Sequence, residues 1–169
     1  MRVIDPKNPN QNAGPITRRF ADTLMGIQYA KFIRNEQSKT CLQYASNSTQ
    51  SCTSIILTSC PVDRFGEISD LTKWNLISTN PSQPLSNSTE IFIESLDNKL
   101  CLTTKSNSAV QACPCDNGVT QKWKLNSDDT FTSSSNNGKC LTMLADNLGL
   151  DTCQNNSTPM SWKTYNVAP

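Results

Sequence analysis

The chain lacks histidine altogether, has six glycines in 169 residues, contains no CxxC pair, and nowhere offers the roughly 20 consecutive apolar residues that a bilayer-spanning helix needs. Each absence closes off a class of function. Without histidine, the usual Ser-His-Asp and Cys-His arrangements cannot be built, and a zinc site loses its commonest nitrogen ligand. With so little glycine there is no Gly-rich loop to cradle a phosphate. An excess of charge is missing too: 15 basic and 14 acidic residues are scattered along the chain, which argues against a nucleic-acid surface or a polybasic membrane patch. Residues 1–15, MRVIDPKNPNQNAGP, hold no apolar stretch of the kind an export signal carries, so the signal peptide of an exported protein is expected to lie outside this sequence.

Cysteine, by contrast, is plentiful. Eight is an even number and high for a cytosolic domain of this size, and it favours disulfides over metal ligation. The protein is therefore expected to be secreted or held at the cell surface, with no cofactor and no metal. Asn, Ser and Thr are abundant, but three tryptophans and regularly placed Ile, Leu and Phe supply a core, so the chain is polar rather than disordered. Its length suffices for one domain. Residues 1–28, with Pro6, Pro9 and Pro15 among Asn, Gln and Gly, read as an extended N-terminal arm. Inside it Phe20, Leu24 and Ile27 fall at i, i+4 and i+7, a spacing that suits a helical turn or two lying across the domain or docking on a partner chain.

From Tyr29 onward one pattern recurs three times. Phe32, Phe92 and Phe131 each precede a Cys-Leu pair by nine residues, at Cys41-Leu42, Cys101-Leu102 and Cys140-Leu141. A segment of alternating apolar residues then leads to another cysteine: Ile55, Leu57 and Cys60; Val110, Ala112 and Cys115; Leu148, Leu150 and Cys153. Such alternation marks a strand with one buried face. A tryptophan closes each copy, at Trp74, Trp123 and Trp162. Copy one carries insertions, PVDRFGEISD before Trp74 and NPSQPLSNS after it, whose composition places them in surface loops. A single copy of about 40 residues cannot bury its own apolar face. Three must pack around a pseudo-three-fold axis, predicting an all-β, barrel-like domain over residues 29–169 in which the three Phe, three Leu and three Trp form equivalent core layers.

This arrangement resembles the ricin-type (R-type) β-trefoil lectins, which share the Cys-Leu pair, the alternating strand, the second cysteine and a terminal Gln-x-Trp. That last motif is intact as Gln121-Lys122-Trp123, whereas Thr72 and Met160 replace the glutamine before Trp74 and Trp162. A narrower likeness, to the two lectin-like binding subunits of the cytolethal distending toxins, rests on the proline-rich arm, the run from Thr72 to Asn80, the run from Ile91 to Thr103 and the closing WKTYNVAP.

Aligning the copies under this resemblance pairs Cys41 with Cys60, Cys101 with Cys115 and Cys140 with Cys153, leaving Cys52 for Cys113; Cys41 with Cys52 is the alternative, and spacing alone does not choose. Cys113-Pro114-Cys115 reads as structural rather than redox-active, since it has neither a histidine nor a helical setting. Asp128-Asp129 suits a turn better than a glycosidase pair, which needs two carboxyls facing each other across a sugar. The chain thus reads as a binding protein, not an enzyme.

A sugar site needs a carboxylate or amide for hydroxyls and an aromatic face for the C–H side of the ring. The family's Asp after Cys-Leu is replaced by Gln43, Thr103 and Thr142. Candidate ligand contacts are therefore Gln43, Tyr44 and Phe65 in copy one and Asp146 and Asn147 in copy three. Four Asn-x-Ser/Thr sequons, at Asn47, Asn87, Asn155 and Asn156, read mostly as chance in so Asn- and Ser-rich a chain. The resemblance implies a non-catalytic module binding cell-surface glycan or lipid, and its narrower form implies the delivery subunit of a toxin-like complex. Two other readings stay open: a scaffold subunit gripping a partner through the arm, and a trefoil protease inhibitor presenting the loop Pro61 to Asp70.

Overall fold

The computed structural model describes residues 26–44, 51–60, 72–80, 85, 89–96, 100–106, 108–145 and 147–166. The proposed arm up to residue 25, including Phe20 and Leu24, and most of both copy-one insertions lie outside them. The described residues form twelve strands: β1 (Ile27–Asn35), β2 (Thr40–Tyr44), β3 (Ile55–Ser59), β4 (Trp74–Ser78), β5 (Glu90–Ser95), β6 (Leu100–Thr104), β7 (Val110–Pro114), β8 (Trp123–Leu125), β9 (Phe131–Ser133), β10 (Cys140–Leu144), β11 (Asn147–Asp151) and β12 (Trp162–Asn166). Ile27, assigned above to a helical turn of the arm, is the first residue of β1 and pairs with Ile77 of β4. Strand pairing with a buried sheet overrides a weak local helical period.

Six strands make a barrel wall in the order β12, β1, β4, β5, β8, β9, all antiparallel. The remaining six make one hairpin per copy: β2–β3, β6–β7 and β10–β11. This is the β-trefoil plan, four strands per copy, three times over. Its core is built from repeated positions. Trp74, Trp123 and Trp162 are fully buried, and each indole N–H donates to the carbonyl of the leucine after its copy's first cysteine: Leu42 at 3.1 Å, Leu102 at 2.9 Å and Leu141 at 2.9 Å. The bond lets tryptophan's large apolar surface go inside without stranding its donor.

The phenylalanines do not obey the expected three-fold rule. The residue facing the first cysteine of each hairpin is Arg34 in copy one, Glu94 in copy two and Thr132 in copy three. The turn after β9 is one residue longer than those after β1 and β5, so the equivalent of Phe131 is not Phe32 or Phe92 but Ile33 and Ile93. A shift of one residue exchanges the two faces of a strand. Accordingly Ile33, Ile93 and Phe131 share the core, while Phe92 points outward and is half-buried. Phe32 packs in a separate small cluster with Cys41 and Cys60. Asn35, Ser95 and Ser133, the next inward positions, are buried polar residues that cap their turns: the Asn35 carboxamide oxygen accepts from the Gln37 and Ser38 amides, Ser95 Oγ from the Leu100 amide and Ser133 Oγ from the Ser135 amide.

All eight cysteines are paired. Cys41–Cys60, Cys101–Cys115 and Cys140–Cys153 each join the ends of one hairpin, and Cys52–Cys113 ties copy one to copy two. Beside the last bridge Thr53 and Ala112 exchange two backbone hydrogen bonds, of 2.7 and 2.9 Å. Between copies two and three the hairpins meet without a covalent link, through the Ala109–Gly149 bridge. There a Cβ on Gly149 would sit 2.5 Å from the Ser108 carbonyl oxygen, so glycine is what allows the approach.

Candidate functional site

Among the described residues, the sequence candidates Gln43, Tyr44 and Asn147 line neither of the clefts described below. Tyr44, proposed as a stacking ring, is 0% exposed and packs edge-on against Trp74, with centroids 5.5 Å apart. It lies on the inward face of β2 and has no surface to offer a sugar. Gln43 is half-buried on β2 opposite Ile56, and Asn147 is exposed at the start of β11. Phe65 and Asp146 lie outside the described residues. Thr103 and Thr142 are both buried. Thr103 Oγ1 donates to the Cys101 carbonyl and accepts from Gln121 Nε2 at 3.1 Å.

That last bond explains the glutamine before tryptophan. Gln121 is fully buried; its Nε2 also donates to the Pro114 carbonyl at 3.0 Å, and its Oε1 accepts from the Asp116 amide at 2.8 Å. One side chain thus pins the β7–β8 loop to β6. In copy three Met160 fills the same place and is buried, but a thioether cannot make these bonds. The β11–β12 loop is instead held from copy one: Asn35 Nδ2 donates to the Pro159 carbonyl, and the Glu36 amide to the Ser161 carbonyl, each at 2.9 Å.

Clefts open where this loop approaches the β8–β9 turn, residues 126–130. The turn is a tight polar knot. Asp128 Oδ1 accepts from the Thr130 amide and hydroxyl, and Asn126 Nδ2 reaches Thr130 Oγ1 at 3.0 Å. Asp129 takes a left-handed backbone, φ 66°, which aspartate tolerates better than most residues. Its carbonyl accepts from the Trp162 amide at 2.8 Å, and this bond ties β12 to the residues leading into β9. On one side of the bond lies a hydroxyl-rich cleft of about 250 Å³, lined by Asp128, Thr130, Gln154, Asn156, Ser157, Thr158 and Ser161. On the other lies a cleft of about 230 Å³, lined by Leu125, Asn126, Ser127, Asp129, Trp162, Lys163, Thr164 and Tyr165. Spacing arguments missed both, because the β8–β9 turn and the β11–β12 loop that shape them hold no repeated position, although Trp162 and its β12 neighbours line the second. The Asp128-Asp129 pair was the visible signal, and it was read only as a turn.

Tyr165, 37% exposed, is backed by charge. The Arg34 guanidinium carbon lies 4.6 Å from its ring centroid, and Arg34 Nη2 donates to its hydroxyl. Glu36 accepts from Arg34 at 3.3 Å and from Lys39 at 2.9 Å. Burial alone would raise the Glu36 carboxyl, but the hydrogen bonds from Lys39 and Arg34, with their charges, outweigh it and hold the group below its ordinary value. Arg34 Nε is buried with no hydrogen-bond partner among the described residues. A buried donor left unpaired costs about 1–3 kcal/mol. Among the described residues, the cluster with metal-ligand character, Glu94 with Cys101 and Cys115, has both sulfurs committed to a disulfide. No helix among the described residues is long and apolar enough to cross a membrane.

Comparison by sequence with curated proteins gives no match. Solved structures match through their fold. A designed three-fold symmetric protein, ThreeFoil, aligns with a TM-score of 0.61 at 16% identity, over 84% of this chain and 99% of that one. A non-toxic homologue of type II RIPs from Momordica charantia, solved with α-methyl-D-galactoside, aligns with a TM-score of 0.58 at 15% identity, over 80% of this chain and 47% of that one. A mosquitocidal holotoxin aligns with a TM-score of 0.59 at 17% identity, over 83% of this chain but only 18% of that one. The family profile described as the ricin-type beta-trefoil lectin domain matches residues 29–162, from the first repeat through the last tryptophan. The chain belongs to the ricin-type β-trefoil lectin domain family.

Proposed function

We propose that the protein is a non-catalytic carbohydrate-binding module, secreted or displayed at the cell surface, with a trefoil from residue 29 onward preceded by an N-terminal arm. The observation that carries this reading is the pair of clefts flanking the Asp129–Trp162 bond. Their carboxylates, amides and hydroxyls match what a polyhydroxylated ligand needs, with few charges to demand an ionic one. Family membership supports it. Four disulfides support an oxidising compartment. A finer reading makes the module the delivery subunit of a toxin-like assembly; it draws on the proline-rich N-terminal stretch and on the likeness to one domain-sized part of a holotoxin. The test is a glycan array together with binding to whole cells before and after enzymatic removal of surface glycans. Array binding and glycan-dependent attachment are expected. A blank array with unchanged attachment to deglycosylated cells would sink the carbohydrate reading.

A further inference from the structure

Only one of the two clefts contains an aromatic ring held from behind by a cation. Tyr165 stands on the outer face of β12, with Arg34 of β1 packed over its ring and bonded to its hydroxyl. Glu36 anchors Arg34, and Lys39 anchors Glu36. Toward the β8–β9 turn, Tyr165 lines the cleft with Asp129, Ser127 and Lys163. No side-chain partner of Asp129 is found among the described residues, and Lys163 is exposed.

We infer that this cleft is a subsite for one neutral pyranose ring, stacked by its C–H face on Tyr165, with vicinal hydroxyls taken by the Asp129 carboxylate and the Lys163 ammonium. Arg34 is a positioning residue: it fixes the ring plane of a tyrosine that would otherwise swing freely at the surface. The inference rests on the carbohydrate reading above and assigns it a place. That place is the barrel seam beside β12, away from Gln43, Thr103 and Thr142 on the hairpins. Size favours a single ring, since about 230 Å³ falls below the roughly 300–1,000 Å³ of pockets that enclose drug-sized ligands. Charge favours a neutral one, because the Asp129 and Lys163 charges in the lining balance.

The test uses the full chain in saturation-transfer NMR with methyl α-D-galactoside, methyl α-D-glucoside, methyl α-D-mannoside and N-acetylglucosamine, and carries the same variants through the array so that a glycan needing more than one ring still reports. Tyr165→Ala should weaken binding about tenfold, the loss of one stacking contact. Tyr165→Phe should keep most of it. Asp129→Gly should abolish the hydroxyl grip without lowering the melting temperature, since glycine accepts the left-handed backbone at no steric cost. Arg34→Met should weaken binding less than Tyr165→Ala does, and should make Tyr165→Phe no worse than Tyr165 in the same background. If wild type binds and both Tyr165→Ala and Asp129→Gly bind equally well, the subsite assignment falls while the carbohydrate reading stands. If neither glycosides nor array glycans bind wild type, the subsite falls, and the carbohydrate reading falls with it when attachment to deglycosylated cells is also unchanged.

Discussion

Copies two and three differ most where their strands meet along the barrel wall. In copy two, β5 runs six residues and pairs with β8 through Glu90–Lys124 and Ile91–Trp123. In copy three, β9 is only three residues long, and the corresponding seam with β12 is reduced to the bond between Trp162 and Asp129. Aligned on the residues that face the hairpin cysteines, Glu94 and Thr132, Glu90-Ile91-Phe92 is replaced by Asp128-Asp129-Thr130. The first is an extended run with a β-branched residue buried in the wall. The second is a turn former that hydrogen-bonds its own backbone and delays the start of the strand until Phe131. The fold is thus carried by what the copies share, and the clefts by the point at which the third copy stops repeating.

Tryptophan truncation tests the shared part and should have the largest effect. Trp123→Ala and Trp162→Ala each remove a fully buried indole, at about 3–5 kcal/mol, and leave a leucine carbonyl unpaired. The two losses should be similar in chemical denaturation. Their effects on glycan binding should not be, since Trp162 lines the tyrosine cleft and Trp123 lines neither. Equal binding losses would mean that the seam of copy three is nothing special.

The hairpin contacts offer a second contrast. Replacing Cys52 and Cys113 together by serine opens a link between residues 61 apart, an effect of about 4 kcal/mol in the chain-entropy model and less to the extent that the other bridges already shorten the loop. Gly149→Ala should cost about 1–3 kcal/mol, because its methyl would meet the Ser108 carbonyl and the Leu144 side chain. Thermal unfolding of both variants ranks the covalent seam against the packed one; a Gly149→Ala protein as stable as wild type would show that the backbones can separate freely. A converse change, Asp128→Glu with Asp129→Ile and Thr130→Phe, should lengthen β9 and close both clefts with little change in melting temperature. Retained glycan binding in that variant would place the site elsewhere.

The trefoil was legible because its repeats combine two-residue alternation with cysteines and tryptophans, residues whose burial leaves few options. Of the three phenylalanines expected in the common core only Phe131 lies there, for a local reason: one extra residue in the turn Ser134–Lys139 slips the register, and counting back from Cys140 cannot see on which side of the strand the insertion lies. Tyr44, a candidate sugar contact by sequence, is carried inward by β2 and buried. Arg34, Glu36 and Tyr165 could not have been grouped from spacing at all. They come from opposite ends of the chain and meet only because β12 returns to lie beside β1.

That meeting predicts a small, pH-dependent effect. Glu36 has its carboxyl held below the ordinary value of 4.5 by Lys39 and Arg34, so the stability it contributes is present above that value and disappears as pH falls through its lowered folded-state value. The pairs it makes are partly exposed, so Glu36→Gln should lower stability at neutral pH by only about 0.2–1 kcal/mol. The difference between wild type and variant should vanish under strongly acidic conditions, where wild-type Glu36 is itself protonated. Glu36→Gln should also weaken binding at neutral pH if Arg34 orients Tyr165, because a guanidinium released from Glu36 is free to leave the ring. A stability difference that persists unchanged into acid would show that Glu36 acts through packing and not through its charge. An acid-sensitive stability with acid-insensitive binding would uncouple the clamp from the tyrosine it touches.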